Sequence, residues 1–438
     1  MQVQVLFDQS GNRAESDSPT GSLGESIQRL RAAQDELRRL SVDDLISLFD
    51  EIARAWSSPR HSLAATLREN ELGFLTLWMR ERNLRRICDL ALHGSRHCLD
   101  EFCSLSPVDA RVFKAQPRGL IVHWVAGNVP VLGIISVVQG LLTKNANLVK
   151  VPASDRGLLP ALLNSMRGVS CVTASGMRLD GATLTNAVCA VYADRQDREA
   201  ARQMSLAADV RLAWGGRDAV EAIMSLPRKF GTEDIIHGPK LSFAVVGAEK
   251  LAGEEQARAI ARSIARDASA FDQRGCNSPH TVFVEAGGVT CPQDFAKLLA
   301  REMDTIHRRQ PLRVIAPSET VEILAQRAEY AMQGTAWHSE GMGWSVLFSE
   351  NGRGLGGPCY ARTLFVRPVS DVFDTVPFCS GATQTVGLAL GDRRLALANA
   401  LTARGVERCP EVGSMSLYDA PWDGLFPIGR MVRWVSAS

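Results

Sequence analysis

The segment Phe271-Asp272-Gln273-Arg274-Gly275-Cys276-Asn277-Ser278-Pro279 joins a helical run, residues 254–270, to the β-rich Thr281-Val282-Phe283-Val284. A cysteine at such a junction, among Gly, Asn and Ser, has an open face and backbone N–H donors nearby. Exposure and donors lower a thiol pKa, whereas apolar burial raises it, so Cys276 is the candidate thiolate nucleophile. His237 and His280 are candidates for moving a proton to or from a thiol, with a buried, hydrogen-bonded core histidine as the equal alternative for each. Gln273 either orients the nucleophile's loop or caps it.

Three strand-end motifs precede this cysteine and could cradle a dinucleotide. Trp124-Val125-Ala126-Gly127-Asn128-Val129-Pro130 follows the first apolar strand, at the carboxyl end where open α/β sheets bind ligands. Lys150-Val151-Pro152-Ala153-Ser154-Asp155 ends the next strand with a cation and short polar groups for a ribose or its phosphate. Ala213-Trp214-Gly215-Gly216 leads from a later strand into a helix, where bare backbone can approach a pyrophosphate. The cofactor-binding candidates are therefore Trp124, Val125, Ala126, Lys150, Ser154, Asp155, Trp214, Gly215 and Gly216. Gly352-Arg353-Gly354-Leu355-Gly356-Gly357 fits the letters of GxGxxG but runs into Pro358 and another strand, not a helix. It reads as a flexible loop.

The elements that must position these residues alternate. Strands are predicted at 119–124, 147–151, 187–192 and 210–214, with helices at 131–143, 155–166, 196–206 and 217–226. A second series has strands at 241–246, 281–285, 345–348, 363–367 and 386–390, with helices at 254–270, 294–303, 319–328 and 393–402. This alternation specifies an α/β fold of two doubly wound parallel-sheet domains with a helical N-terminal extension. The expected organisation is a mobile leader (1–25), a helical region (26–110), a dinucleotide-binding domain (111–240) and a catalytic cysteine domain (241–405). A C-terminal segment (406–438) either serves oligomerisation or packs back on the cofactor domain. In the helical region Leu30, Leu37, Leu40, Leu45, Leu48, Phe49, Ile52 and Trp56 recur at helical spacing, and Ser41 is a plausible N-cap.

Of the 438 residues, 45% are apolar and 22% charged, with a net charge of +1, a balance that argues against nucleic acid as the main partner. Residues 1–8 lack a signal-like n-region, and the longest apolar run, 129–142, is too short and interrupted to span a bilayer. A cytoplasmic protein without a membrane span is expected. The ten cysteines lie scattered without framework spacing and read as reduced thiols. His93 and His97 stand one helical turn apart near Cys98 and Cys103, but without a Cys-x-x-Cys pair they read as a solvated face, and no metal site is expected. The arginines at 80, 82, 85 and 86 likewise read as a solvated helix face.

Taken together, these motifs resemble the aldehyde dehydrogenase superfamily and, within it, the LuxC-type acyl-CoA reductase (fatty acid reductase) family, over roughly residues 112–430. The resemblance implies an aldehyde-dehydrogenase-like fold. It also implies an oxyanion hole made by the Asn128 amide and the N–H of Cys276, with Lys150 on the adenosine ribose and Gly215-Gly216 beside the pyrophosphate. The cofactor it implies is NADPH, with NADH as the alternative. Ser154 and Asp155 do not decide between them, because a carboxylate near the ribose would repel a 2′-phosphate. The substrate it implies is a fatty acyl-CoA or acyl-carrier thioester, reduced to an aldehyde through a Cys276 acyl-enzyme. Further implications are a homo-oligomer and an acyl-protein synthetase or transferase partner.

Gln384-Thr385-Val386-Gly387-Leu388 and Trp422-Asp423-Gly424 share the resemblance without an assigned chemistry. One departure matters. Hydrolytic aldehyde dehydrogenases carry a water-activating glutamate just before a Gly-Gly-Lys stretch. The matching region here is Ile235-Ile236-His237-Gly238-Pro239-Lys240-Leu241-Ser242, with Glu233 and Asp234 only nearby. The rival readings are an aldehyde-oxidising NAD(P)-dependent dehydrogenase and a non-catalytic acyl-transfer partner subunit.

Overall fold

The run Leu-Ile-Val-His-Trp at Leu120–Trp124 is buried at every position, as a strand covered on both faces must be. The computed structural model describes residues 3–12, 22–127, 129, 131–312, 315–352 and 354–438. The chain divides into two units, one of Met1–Gly238 with Asp419–Ser438 and one of Pro239–Tyr418.

In the first unit, β1 (Gln4–Asp8), β2 (Leu120–Trp124), β3 (Ala146–Lys150), β4 (Val188–Tyr192), β5 (Val210–Trp214) and β6 (Glu233–His237) form one sheet. Its order is β6-β5-β2-β3-β4-β1, with the short strand Gly11–Asn12 at the edge. β2 to β6 run parallel, and strand order reverses between β2 and β5, which places a ligand crevice at their carboxyl ends. The helices α1 (Leu23–Arg38), α2 (Val42–Ser57), α3 (Val131–Leu142), α4 (Leu158–Arg167) and α5 (Arg217–Met224) belong to this unit. Ser22 and Ser41 cap α1 and α2 by accepting the N–H groups of Glu25 and Asp44. Leu30 of α1 joins Leu120, Val122 and Leu148 in the core. Gly140 lets α3 lie hard against β3, for a Cβ there would stand 2.0 Å from Oδ1 of Asn147.

The expected leader of residues 1–25 is corrected at both ends. β1 pairs antiparallel with β4 and buries Phe7 completely, and residues 23–25 already belong to α1. The apolar Val-Leu-Phe stretch gains more from an open sheet edge than the polar sequence after it gains from solvent. Residues 13–21 of that leader lie outside the described residues. β6 was not foreseen either. It opens with Glu233 and Asp234, which look like loop residues until their partners Arg118, Arg430 and Arg211 are in place. At the other terminus, Val432–Ala437 pairs antiparallel with Val112–Pro117, and Arg80, Arg85 and Arg86 meet Asp50, Glu81 and Asp419.

In the second unit, β7 (Leu241–Val246), β8 (Pro279–Glu285), β9 (Ser345–Phe348), β10 (Thr363–Val369) and β11 (Thr383–Ala389) run parallel in the order β9-β10-β8-β7-β11. The strand Thr335–His338 adds antiparallel to β9. Alternate residues serve opposite faces. Ala244, Val246, Val282 and Val284 meet α6 (Glu254–Ser269) and α7 (Pro292–Arg309) through Ala261, Ile264, Phe295 and Leu299. Phe243, Val245 and Phe283 face Leu397 and Leu401, from Arg394–Thr402. The helices predicted at 294–303 and 319–328 extend to α7 and to α8 (Pro317–Gln333), because proline at N1 starts both. No helix among the described residues is long and apolar enough to cross a membrane.

If β1 is an integral strand, Phe7→Ala should lower the unfolding free energy by about 3–5 kcal/mol in chemical denaturation. A change near zero would return residues 4–8 to the leader.

Candidate active site

The loop carrying Cys276 is built on an uncommon backbone. After α6, Phe271, Asp272 and Gln273 adopt φ of 50°, 53° and 65°, and Tyr360, Ala361 and Arg362 adopt 57°, 46° and 59°. Each non-glycine residue in this left-handed region costs on the order of 1–3 kcal/mol and persists only where its surroundings dictate it. The two triplets dictate each other. Arg362 donates to Oδ1 of Asp272 through Nη2 (2.6 Å) and Nε (3.1 Å), and to the Gln310 carbonyl through Nη1 at 2.7 Å. Gln273 donates from Nε2 to the carbonyls of Thr363 and Pro279 and accepts the Thr363 N–H at Oε1, all at 2.8 Å. Gln273 therefore anchors the loop at both ends.

Beyond this root, the Cys276 carbonyl accepts the Ser242 hydroxyl at 2.7 Å, and Ser242 Oγ accepts the Thr385 N–H at 3.1 Å. This gives the Gln384–Leu388 motif a supporting task. Asn277 donates to the Met415 carbonyl at 2.8 Å, and Ser278 N–H to the Gly275 carbonyl at 3.0 Å. Gly275 is required, since a Cβ there would stand 2.5 Å from Oδ1 of Asn277. All ten cysteines are reduced thiols, and Cys276 is half-exposed. By contrast, burial pushes the Cys88 and Cys359 thiols up to about 12, and those of Cys379 and Cys409 to about 11. Cys291 is exposed and donates to the Asp294 carboxylate at 3.2 Å.

The two histidines differ. His280 in β8 is buried edge-on to Tyr360, with ring centroids 5.8 Å apart, and burial pushes its pKa down to about 4. It is neutral at physiological pH, the state of a core histidine. His237 ends β6, stacked on Trp214 at 3.6 Å between centroids and 12° between planes. Its Nδ1 lies 2.5 Å from Oδ2 of Asp423, and its buried Nε2 has no hydrogen-bond partner among the described residues. Asp423 escaped the sequence reading. Its signal was the Trp422-Asp423-Gly424 motif without an assigned task.

The cofactor candidates of the first unit converge on one edge of its sheet. Register places Lys150 beside Trp124, Trp124 beside Ala213, and Trp214 beside His237 at the carboxyl ends of β3, β2, β5 and β6. The Trp124 and Trp214 rings are buried and shape the edge from within, Trp214 donating to the Ser136 hydroxyl at 3.2 Å. Val125 and Ala126 are half-buried, and Ser154 is exposed. A Cβ on Gly127 would fall 2.4 Å from the Ser154 hydroxyl, whereas one on Gly216 would meet open space at the N-cap of α5.

Lys150 is half-buried; burial lowers its pKa, Asp194 opposes that shift, and among the described residues it has no ion pair. Asp155 turns inward, where burial raises its carboxyl to about 6 while the Leu158 N–H at the start of α4 pulls it back. Arg156, which the sequence reading passed over, lies with its guanidinium carbon 3.6 Å above the Tyr192 ring. Its Nε is buried without a partner among the described residues. Bare backbone at Gly216, an exposed hydroxyl and two cations without an ion pair among the described residues suit a dinucleotide. Asn128 lies outside the described residues. Cys276 and His280 belong to the second unit, and His237 and the cofactor candidates to the first.

Glu233 and Asp234 sit at the amino end of β6, about 13 Å and about 10 Å along the strand from His237. Glu233 pairs with Arg118 at 3.2 Å and with Arg430, and Asp234 pairs with Arg211 at 2.7 Å and with Arg228. Among the described residues no group of three or more His, Cys, Asp or Glu side chains is placed to hold a metal.

Residues 37–434 match the family described as acyl-CoA reductase (LuxC). The long-chain acyl-protein thioester reductase 2 of Photobacterium leiognathi is 26% identical over 439 residues, covering 94% of this chain and 85% of that protein. The long-chain acyl-protein thioester reductase of Aliivibrio fischeri is 29% identical over 350 residues, covering 78% of this chain and 68% of that protein. Among solved structures, aldehyde dehydrogenase 21 from Physcomitrella patens, in complex with the reaction product succinate, superposes with a TM-score of 0.68 at 13% identity. The match covers 99% of this chain and 97% of the other. The fold is that of the aldehyde dehydrogenases.

Two outcomes follow from this geometry. Asp272→Asn strands the buried Arg362 charge and should destabilise the protein by about 3–5 kcal/mol in chemical denaturation. The folded protein keeps the Asp155 proton up to about pH 6, an unfolded chain only to about 3.9. The stability this group contributes is therefore full below pH 4 and lost as pH rises through 6. Asp155→Asn, neutral throughout, should gain stability relative to the parent over that window, read as unfolding midpoints at pH 4 and pH 7.

Proposed function

The chain belongs to the LuxC family of acyl-CoA reductases, and we propose that it reduces an acyl thioester to an aldehyde through a covalent acyl group on Cys276, using NADPH. The observation that carries this reading is the Cys276 loop itself, a half-exposed thiol on a backbone held rigid by two interlocked left-handed turns. The Cys276 thiolate attacks the acyl carbon, and exchange of one thioester for another is close to isoenergetic. The cost lies in the tetrahedral oxyanion, for which the Cys276 N–H and the Asn128 amide are the proposed donors. Losing one such donor costs about 3–4 kcal/mol. When bound, the nicotinamide supplies the hydride that turns the acyl group into the aldehyde. The acyl donor is CoA or a carrier thiol, with a long-chain acyl group by extension from the relatives' names.

Release of the acyl group as an acid would need a carboxylate to activate water. The two carboxylates of β6 are committed to arginines at the far end of that strand, which supports reduction over hydrolysis. NADPH is favoured over NADH because Asp155 is withdrawn to Leu158. Lys150, Ser154 and Arg156 remain at the strand end where a ribose 2′-phosphate is read.

Incubation with radiolabelled acyl-CoA tests the central claim. Label should stay on the denatured wild-type protein and be absent from Cys276→Ala; no label on the wild type would leave the binding-subunit reading. Acid formed from aldehyde and NAD(P)+ without a thiol acceptor would favour the oxidising dehydrogenase. Calorimetry tests the cofactor. Arg156→Ala should weaken 2′,5′-ADP about 10- to 100-fold, the range of a charge-assisted contact, and leave 5′-AMP unchanged. Equal affinities of the wild type for the two ligands would count against NADPH.

A further inference from the structure

In the second unit, α6 carries a carboxylate where helix electrostatics disfavour one. Asp267 lies in the last turn of that helix, at the negative end of its dipole, and is almost fully buried. Burial raises its carboxyl to about 6, while three backbone N–H groups and then the Arg266 charge pull it back. All three donors belong to one turn, residues 413–416. Oδ2 accepts the Gly413 N–H, and Oδ1 accepts those of Met415 at 3.1 Å and Ser416 at 3.5 Å. Gly413 takes φ of 91°, and a Cβ there would stand 3.1 Å from that of Ser263. An asparagine in place of Asp267 would offer one oxygen and turn an NH2 group toward the remaining donors.

This turn fixes the Met415 carbonyl. The Met415 side chain is fully buried against β11, where a Cβ on Gly387 would stand 2.3 Å from its sulfur. Its carbonyl accepts Nδ2 of Asn277 at 2.8 Å and Nη1 of Arg408 at 3.5 Å. Asn277 follows Cys276 directly, and every residue of this chain of contacts lies within the one unit. We propose that Asp267 is a positioning residue for Cys276: its carboxylate sets the 413–416 turn, the turn sets the Met415 carbonyl, and that carbonyl fixes Asn277 and the carboxyl side of the nucleophile's peptide. The inference rests on the thioester-reductase reading above.

The geometry of the loop explains why a second anchor is needed. On its amino side Asp272 and Gln273 tie it to Arg362 and Thr363. At the nucleophile itself the Ser242 hydroxyl holds the Cys276 carbonyl. A single hydrogen bond is a pivot, about which the peptide can still turn. The Asn277 amide supplies a second fixed point one residue further on, so the sulfur and the Cys276 N–H keep one orientation. Displacement of a reacting group by about 1 Å can cost as much as 10²-fold in rate, so a buried charge that prevents such a drift acts on the chemistry without touching the substrate.

The test is a double-mutant cycle on the full chain. Acyl transfer from radiolabelled acyl-CoA to Cys276 is timed without nicotinamide for the wild type, Asp267→Asn, Asn277→Ala and the double variant, each well below its unfolding midpoint. Each single change should slow transfer on the order of 10-fold, and the double change no further than about 10-fold, because both act through one contact. In Asp267→Asn, amide hydrogen exchange should rise over residues 413–416 and over 275–278 but stay level in α7, which a general loosening would not spare. If Asp267→Asn does not fold, Asp267→Glu, which keeps the charge and moves the oxygens, takes its place in the cycle with the same expectation. Slowing of about 100-fold in the double variant, slowing below about twofold at position 267, or faster exchange confined to 413–416 overturns the inference and leaves the Cys276 reading standing. A wild type that takes no acyl label removes both.

Discussion

The ion pair between Asp272 and Arg362 is the constraint on which the thiol loop depends. Both groups are almost fully buried, and such a pair recovers little net energy after desolvation. Its return is in shape. Six residues in the left-handed region would relax into ordinary turns without a partner, and the carboxylate, the guanidinium and the Gln273 amide lock the two triplets face to face. Ser242, Asn277 and Gly275 then settle the few residues between this root and β8. Cys276 is half-buried on this loop, while burial holds the Cys359 and Cys379 thiols of the same unit protonated.

In the first unit the same economy appears in charges. A doubly wound sheet directs its strand ends at one crevice, and which groups remain available there decides what can bind. The Asp155 carboxylate, which would have repelled an anion, turns inward to the Leu158 N–H, while Lys150 and Arg156 have no ion pair among the described residues. Glu233 and Asp234, the nearest candidates for activating water, lie at the opposite end of β6, where four arginines pair with them. At the carboxyl end of the same strand stand an imidazole and its carboxylate.

What was legible in the sequence is what local pattern determines. Unbroken apolar runs gave the parallel strands, and glycine with short polar residues after a strand gave the Lys150 and Gly215-Gly216 ends. The Gly-Cys-Asn-Ser run marked the loop between helix and strand on which Cys276 stands half-buried, because an open turn there needs those residue types. What stayed hidden depends on partners far along the chain. β1 reads as part of a polar leader until β4 offers it an edge, and β6 reads as loop until arginines neutralise its first residues. Asp423 has no local reason to be near a histidine. Arg156 is an ordinary helix-flanking cation until Tyr192, from another strand, takes its face. Phe271 to Gln273 carried no glycine to announce a left-handed turn, since the strain is borne by contacts 90 residues away.

That separation also has a consequence for synthesis. Residues 271–273 can take their left-handed shape only once residues 360–363 have emerged and paired with them. Until the ribosome has passed that point the loop that carries Cys276 lacks the contacts that hold its backbone, so its final shape comes late, when the sheet that carries it is nearly finished.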